Sequence, residues 1–434
     1  MSNESKTPSF EDAEKSVSVP GSDADVTSRP VTSSASDVPN GGAKAWLQVL
    51  GSFFLFFNTW GILNAFGTYE TYYGTGILSS SSPSQIAWIG SIQAFLLLFV
   101  GSVTGPLYDA GYVHQLLWVG SLLVVAGQML LSLCTTYTEV VLAQAVTIGI
   151  GTGLLFVPAV AILQQYFSTR IAAATGLSAA GGSIGGVIYP IVFHRLQPRI
   201  GFPWATRVLG FIALAGLSVS IMVIRVRVSP PQRRKLIDLT AFVDLPFMLF
   251  SVGCILAFMG MYAPFFFVES YVIRNNILSE NMGFYLLSIM NGTSLFGRIF
   301  PNAGADKTGP LNMIIPCGAI TGMLCLCLIA AKSSAAVIVL MALYGFFSGS
   351  LVSLPPTIFA SLTKDRRVIG TRMGMGFALS SVGVLVGSPI AGQILGASGF
   401  TNVWVFGGVL TLAGVASMLA ARLVSAGPKL MVKA

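Results

Sequence analysis

The chain has 434 residues, of which 54% are hydrophobic and only 9% charged, with a mean hydropathy of +0.78. A soluble domain carries about a quarter charged residues, so this composition excludes a soluble enzyme or binding module and points to a helical protein that crosses the membrane many times. The net charge of +8 is scattered over short polar breaks, which argues against a nucleic-acid partner and gives the charge a topological meaning.

Residues 1–43 are rich in Ser, Asp, Glu and Pro and nearly devoid of large apolar side chains. Such a segment cannot bury enough surface to fold and is expected to be a disordered cytoplasmic tail. No charged start followed by a short apolar stretch and cleavage site is present, so the first membrane helix is expected to address the chain. The glycosylation patterns at Asn3 and Asn291 are expected to go unused.

Apolar runs follow at roughly 46–68, 84–104, 113–133, 138–163, 171–194 and 204–224, and again at 242–267, 281–300, 311–331, 334–360, 371–395 and 401–424. Each approaches the roughly 20 residues a helix needs to span a bilayer. About twelve crossings put both termini on one side. The positive-inside rule makes that side cytoplasmic: outside the tail, sixteen Lys and Arg fall there against five, Arg195, Arg199, Arg207, Arg274 and Lys332, on the other.

The polar stretch 225–241 falls mid-chain and reads as a cytoplasmic linker between six-helix bundles at 44–224 and 242–424, with a cytoplasmic C-terminal tail at 425–434. Internal self-similarity supports this. At an offset of 198, Gly151 falls on Gly349, Pro158 on Pro356, Gly176 on Gly374 and Gly185 on Gly383, while Glu70-Thr71-Tyr72 recurs as Glu269-Ser270-Tyr271 at 199. Parallel halves related by an axis along the membrane normal leave this trace.

The stretch Gln165–Pro190 joins a turn at Arg170 to a helix rich in small residues, with Gly176, Gly181, Gly182, Gly185 and Gly186 recurring. Gly182-x-x-x-Gly186 permits close helix approach, as plain packing or as part of a rocking interface. Pro158 and Pro355-Pro356 should bend their helices. In the eighth run Asn291, Ser294 and Arg298 share one helix face, and a cation at that depth needs a partner or a watery cavity; the bland alternative has Arg298 snorkelling to the cytoplasmic interface. Trp60 and Asn64 also share a face. Gln93, Gln128, Gln144 and Gln164 read as interhelical glue, and Cys134, Cys254, Cys317, Cys325 and Cys327 as small core residues. His194 reads as an interface residue.

Tyr166-Phe167, Arg170, Ala174, Gly176, Ala180-Gly181 and Gly185 resemble the signature opening the fifth helix in the monocarboxylate porter family of the major facilitator superfamily. Gly41-Gly42-Ala43-Lys44-Ala45-Trp46 resembles that family's entry into its first helix, and the Ser-rich tail looks like its fungal branch. Gly105 to Gly111, containing Asp109, and Asn302 to Gly309, containing Asp306 and Lys307, resemble the superfamily's cytoplasmic gate motif in the turns after the second and eighth runs. The resemblance implies an all-α major facilitator fold of two six-helix halves. It also implies a role for Arg298 beside an anionic substrate.

The sequence departs from the proton-coupled porters at two positions: Ser294 stands where they carry an aspartate, and Asn64 where they carry a lysine. The familiar proton-coupled lactate route is thereby weakened. A larger or neutral substrate held by Asn58, Trp60, Asn64 and Asn291 becomes the better reading, with proton coupling left open. With two histidines, no phosphate-binding loop and no nucleophile elbow, no enzyme, cofactor or metal is implied. The expectation is a secondary transporter of a small organic metabolite in the plasma membrane, working as a monomer, with export ahead of uptake. A monocarboxylate or riboflavin-like uptake porter and a non-transporting nutrient receptor are the alternatives.

Overall fold

A computed structural model describes residues 39–227, 238–363 and 369–427. Most of the expected N-terminal tail, the middle of the linker and the last residues of the C-terminal tail lie outside them, as does the side chain of Asp109. The described residues are helical throughout, with no strand among them.

Fourteen α-helices follow in chain order: α1 (Ala43–Asn64), α2 (Phe66–Thr75), α3 (Pro83–Asp109), α4 (Val113–Leu131), α5 (Tyr137–Val140), α6 (Gly149–Gln164), α7 (Ile171–Val223), α8 (Leu245–Arg274), α9 (Glu280–Thr308), α10 (Pro310–Cys327), α11 (Ser334–Ser353), α12 (Pro355–Leu362), α13 (Ile369–Ser398) and α14 (Phe400–Ala426). Helices α1 and α2 make one crossing bent at Ala65. Helices α5 and α6 make another through a π-helical stretch, Val141–Ile148. Helices α11 and α12 make a third, interrupted at Leu354, which keeps helical dihedrals while Pro355 and Pro356 supply no backbone N–H to the preceding turn.

Among the described residues, ten segments are long and apolar enough to span a membrane. One of them, α7, runs 53 residues and turns back on itself at Gly201, whose φ of 76° and ψ of 166° are accessible to little but glycine. Its two arms are separate crossings. Helix α9 is the remaining crossing, too polar to qualify by composition because it carries Asn291, Arg298, Asn302, Asp306 and Lys307. The total is the twelve that the apolar runs suggest. We call the end of the bundle near Ala43 and Ala426 the tail end and the other the far end.

Small residues hold the crossings together, since lipid gives no hydrophobic gain for helix association. A Cβ on Gly185 would lie 2.5 Å from the Phe57 carbonyl oxygen, and one on Gly61 2.7 Å from the Gly185 Cα. The second half repeats the arrangement: Gly383 packs on the Ile255 carbonyl, both members of the pair being 198 positions further on. The Ser220 hydroxyl donates to the Gly51 carbonyl at 2.9 Å, and Ser417 donates to Leu249 at 2.7 Å. Corresponding backbone sites thus make corresponding contacts.

The two gate-motif segments differ from expectation. Helix α3 continues through Pro106 to Asp109, and α9 through Pro301 to Thr308. Asp109 and Asp306 therefore sit in terminal helical turns, and the turns proper begin later, at Gly111 and Gly309, both with positive φ. A proline removes one backbone donor, which neighbouring helices can tolerate in a membrane bundle. Cys327 also departs from the core reading: it is exposed, whereas the other four cysteines are buried.

Candidate functional site

The site lies where α1, α7, α8 and α9 converge. Arg298 is 2% exposed and stands ten residues before the end of α9, about 15 Å along the helix. Its guanidinium donates from Nη1 to the Ala179 carbonyl on α7 at 2.9 Å and from Nε to the Ser294 hydroxyl at 3.4 Å. Snorkelling to the tail-end interface is thereby ruled out. The bond to Ala179 joins the second half of the chain to the first.

The glycines of α7 divide by face. Gly181 and Gly185 receive the backbone of α1, and Gly176 receives that of α9, with the Arg298 carbonyl 2.7 Å from where its Cβ would be. Gly182 and Gly186, expected to be the helix-packing pair, instead make room for side chains. A Cβ on Gly182 would meet Trp60 Cβ at 2.8 Å and Arg298 Nη1 at 3.0 Å; one on Gly186 would meet Asn291 Oδ1 at 2.6 Å and Asn64 Cβ at 2.9 Å. The reason is angular: positions 181 and 185 share one face, and 182 and 186 the next.

Trp60, Asn64, Asn291, Ser294 and Arg298 are therefore brought together. Asn58 is not. Its Oδ1 accepts from the Tyr189 hydroxyl at 2.6 Å and its Nδ2 donates to the Phe54 carbonyl at 2.7 Å, so both ends of its amide are engaged within the first half. Around Arg298 several buried polar atoms have no hydrogen-bond partner: Trp60 Nε1, Asn291 Oδ1 and the Tyr262 hydroxyl, which interacts electrostatically with Arg298. An unpaired buried polar group costs about 1–3 kcal/mol. A cluster of them marks a place built for a polar ligand or water. Tyr262 was not singled out by sequence, since one tyrosine in an apolar run carries no spacing signal.

Aromatic side chains bound the cluster on both sides. Toward the tail end, Trp60 meets Phe156 at 6.1 Å, Phe156 meets Phe377 at 5.3 Å and Phe377 meets Phe359 at 5.7 Å. Toward the far end, Phe66 meets Phe266 at 5.1 Å. Gln144 behaves as glue, accepting from the Tyr73 hydroxyl at 2.5 Å, whereas both ends of the Gln93 amide are buried without a partner. His194 stacks on Phe284 at 4.0 Å, and Arg195 donates to the Tyr285 hydroxyl at 2.7 Å, so α7 and α9 also meet near the far end.

At the tail end the two signature segments touch. Trp46 packs edge-on against Phe167 at 5.4 Å. The Asn40 amide oxygen accepts from the backbone N–H groups of Ser168 and Thr169 at 2.7 and 3.0 Å, and the Tyr166 hydroxyl donates to the Arg225 carbonyl at 2.9 Å. Arg170 stands exposed before α7. In the other half Arg372 donates to Asp238 and Asp244, both at 2.7 Å. The Thr240 hydroxyl, and then Arg372, hold the Asp238 carboxyl below the usual carboxylate range. Asp306 is half-buried and Lys307 exposed one turn before Gly309.

Comparison with known proteins agrees with this architecture. The Major Facilitator Superfamily profile matches residues 49–334, and the chain belongs to that superfamily of multi-pass membrane transporters. It is 52% identical to the MFS-type transporter dbaD of Emericella nidulans, over 86% of this chain and 85% of the relative. It is 38% identical to the aspyridones efflux protein apdF of the same organism, over 93% and 82%. It is 36% identical to the agnestins efflux protein AgnL12 of Paecilomyces divaricatus, over 88% of each. Among solved structures, a POT family transporter in complex with 5-aminolevulinic acid superposes with a TM-score of 0.68 at 14% identity, covering 88% of this chain and 98% of the other; that likeness concerns the fold alone.

Proposed function

We propose that this protein exports a small organic secondary metabolite by alternating access, binding it between the halves at Trp60, Asn64, Asn291, Ser294, Tyr262 and Arg298. The observation that carries the reading is the bond from Arg298 to the Ala179 carbonyl. A guanidinium buried at mid-depth and held by neutral oxygens, one of them from the opposite half, keeps donor capacity for an electron-rich substrate. It also sits where a rocking motion would break and remake its contacts. Export is favoured over uptake by the two relatives named as efflux proteins, one for aspyridones and one for agnestins.

The finer placement is part of the same proposal. The monocarboxylate-porter signatures support a place on the fungal side of that family, and the distribution of Lys and Arg supports cytoplasmic termini; the plasma membrane as site and the monomer as working unit complete it. Asp109, Asp306 and Lys307 close the tail end, while the Tyr166-Phe167-Arg170 segment positions α7.

The test is an accumulation assay in host cells with and without the gene, scanned over intracellular and secreted metabolites. Export predicts that one compound is retained inside cells lacking the protein and appears in the medium when it is restored. Retention in cells that have the protein would reverse the direction, and no change in any compound would favour a receptor.

A further inference from the structure

Glu70 on α2 and Glu269 on α8 have no role in the site described above. Both acids lie within membrane-spanning segments, 8% and 6% exposed. They occupy matching places in the two halves, within the repeat Glu70-Thr71-Tyr72 and Glu269-Ser270-Tyr271.

The helix contact that carries them can be followed residue by residue. The Phe66 and Phe266 rings are 5.1 Å apart, and a Cβ on Gly67 would lie 2.8 Å from the Phe265 carbonyl oxygen, so α2 and α8 meet closely there. Glu70 follows Gly67 by three positions and Glu269 follows Phe265 by four. That spacing keeps both acids on the touching faces, one turn nearer the far end. The two carboxyls interact electrostatically, and Glu70 Oε2 is buried with no hydrogen-bond partner.

Among the titratable groups on the surrounding helices, Arg298 on α9 is held by Ala179 and Ser294, Tyr262 on α8 interacts with Arg298, and His194 on α7 stacks on Phe284. On α2 itself, Tyr73 donates to Gln144, and Tyr69 and Tyr72 pack on Phe193. On α8, Tyr271 donates to the Ala331 carbonyl and Arg274 stands exposed in the last turn. On α7, Tyr189 donates to Asn58 and Arg195 to Tyr285. The titratable groups of α1 and α3, namely Lys44, Tyr108 and Asp109, lie at the tail end. Two like charges facing each other in an apolar place are costly, and a shared proton removes that cost.

We propose that Glu70 and Glu269 form a single proton-binding site divided between the halves. A proton taken from water is held as an O–H of one carboxyl donated to the oxygen of the other, which draws α2 onto α8 and closes the far end. When that proton returns to water, two carboxylates remain and their repulsion separates the helices. In an exporter, this proton closes the far side after the metabolite has left. The use made of the proton rests on the export reading; its binding does not, because it requires no transported compound.

The test uses the full-length protein in lipid nanodiscs, with native cysteines replaced by serine and spin labels at Ser79→Cys and Asn275→Cys, both exposed at the far end. Distances are measured over a series of pH values, and the infrared band of protonated carboxyls is followed in parallel. The expected result is a label distance that shortens on acidification and an acid band that rises with it. In Glu70→Gln and Glu269→Gln, each checked for monodisperse elution, the pH-dependent shift is lost and the acid band is lost or displaced. Either variant retaining the full shift and an unaltered band would overturn the proposal, as would a wild-type distance independent of pH. Failure of the metabolite assay with this proton response intact would instead count against export alone.

Discussion

Arg298 is the residue on which the site turns. Its place on one face with Asn291 and Ser294 was visible in the spacing, but its depth was not, because α9 continues eight residues beyond the end of its apolar run. Only the structure separates a buried cation bonded to Ala179 from one that reaches the interface. Hydrogen bonds to charged groups contribute about 1.5–3 kcal/mol, so Arg298→Ala should lower export about tenfold or more while leaving the amount of protein at the cell surface unchanged; flux at the wild-type level would remove Arg298 from the mechanism. Asn58 illustrates the opposite case. Residue type suggested a ligand contact, but Tyr189 on the same half claims its oxygen, and no spacing rule reports such a partner. In the sequence Glu70 and Glu269 are visible only as markers of the repeat, since adjacency between two distant acids appears only when α2 meets α8.

Among the elements, the apolar runs located all twelve crossings, although the helices that carry two of the boundaries differ from what those runs suggest. Helix α9 is polar because it lines the site, and the polar stretch between the two runs of α7 is itself helical, the chain reversing at Gly201 alone. Arg195 and Arg207, two of the five basic residues on the far side, lie on the two arms of this hairpin, where Arg207 donates to the Ser132 hydroxyl at 3.0 Å. A residue with a Cβ at Gly201 would be forced into a conformation costing about 1–3 kcal/mol. Gly201→Ala should therefore lower the thermal stability of the purified protein by about that amount; an unchanged melting temperature would show that the hairpin can relax. The linker offers a second test. Because the Asp238 carboxyl titrates lower in the folded protein than in the unfolded chain, its contribution is present above the ordinary carboxylate range and is lost as pH falls through the folded value. Asp238→Asn should melt earlier than wild type at neutral pH, and the difference should shrink below about pH 4. A gap that persists there would assign the effect to something other than the charge on Asp238.

The molecule as a whole consists of two halves built alike that touch toward both ends. Their likeness was legible as a constant offset, and it reappears as contacts: Gly185 on Phe57 and Gly383 on Ile255. How the halves meet was less legible, because helices α3 and α13 pair along their length through small residues whose sequence spacing says nothing about their partner. A Cβ on Gly374 would lie 3.6 Å from Ser102 Cβ near the tail end, and one on Gly392 would lie 3.1 Å from Ser84 Cα near the far end. The first distance fits the Cβ separation of a disulfide. The central claim is that the halves pivot about the Arg298 cluster, opening each end in turn. It is tested most directly by measuring export with Ser102→Cys/Gly374→Cys or Ser84→Cys/Gly392→Cys in a background lacking the native cysteines. Alternating access predicts that oxidation at either end alone stops export and that reductant restores it. Continued export with the cross-link fully formed at either end would contradict it.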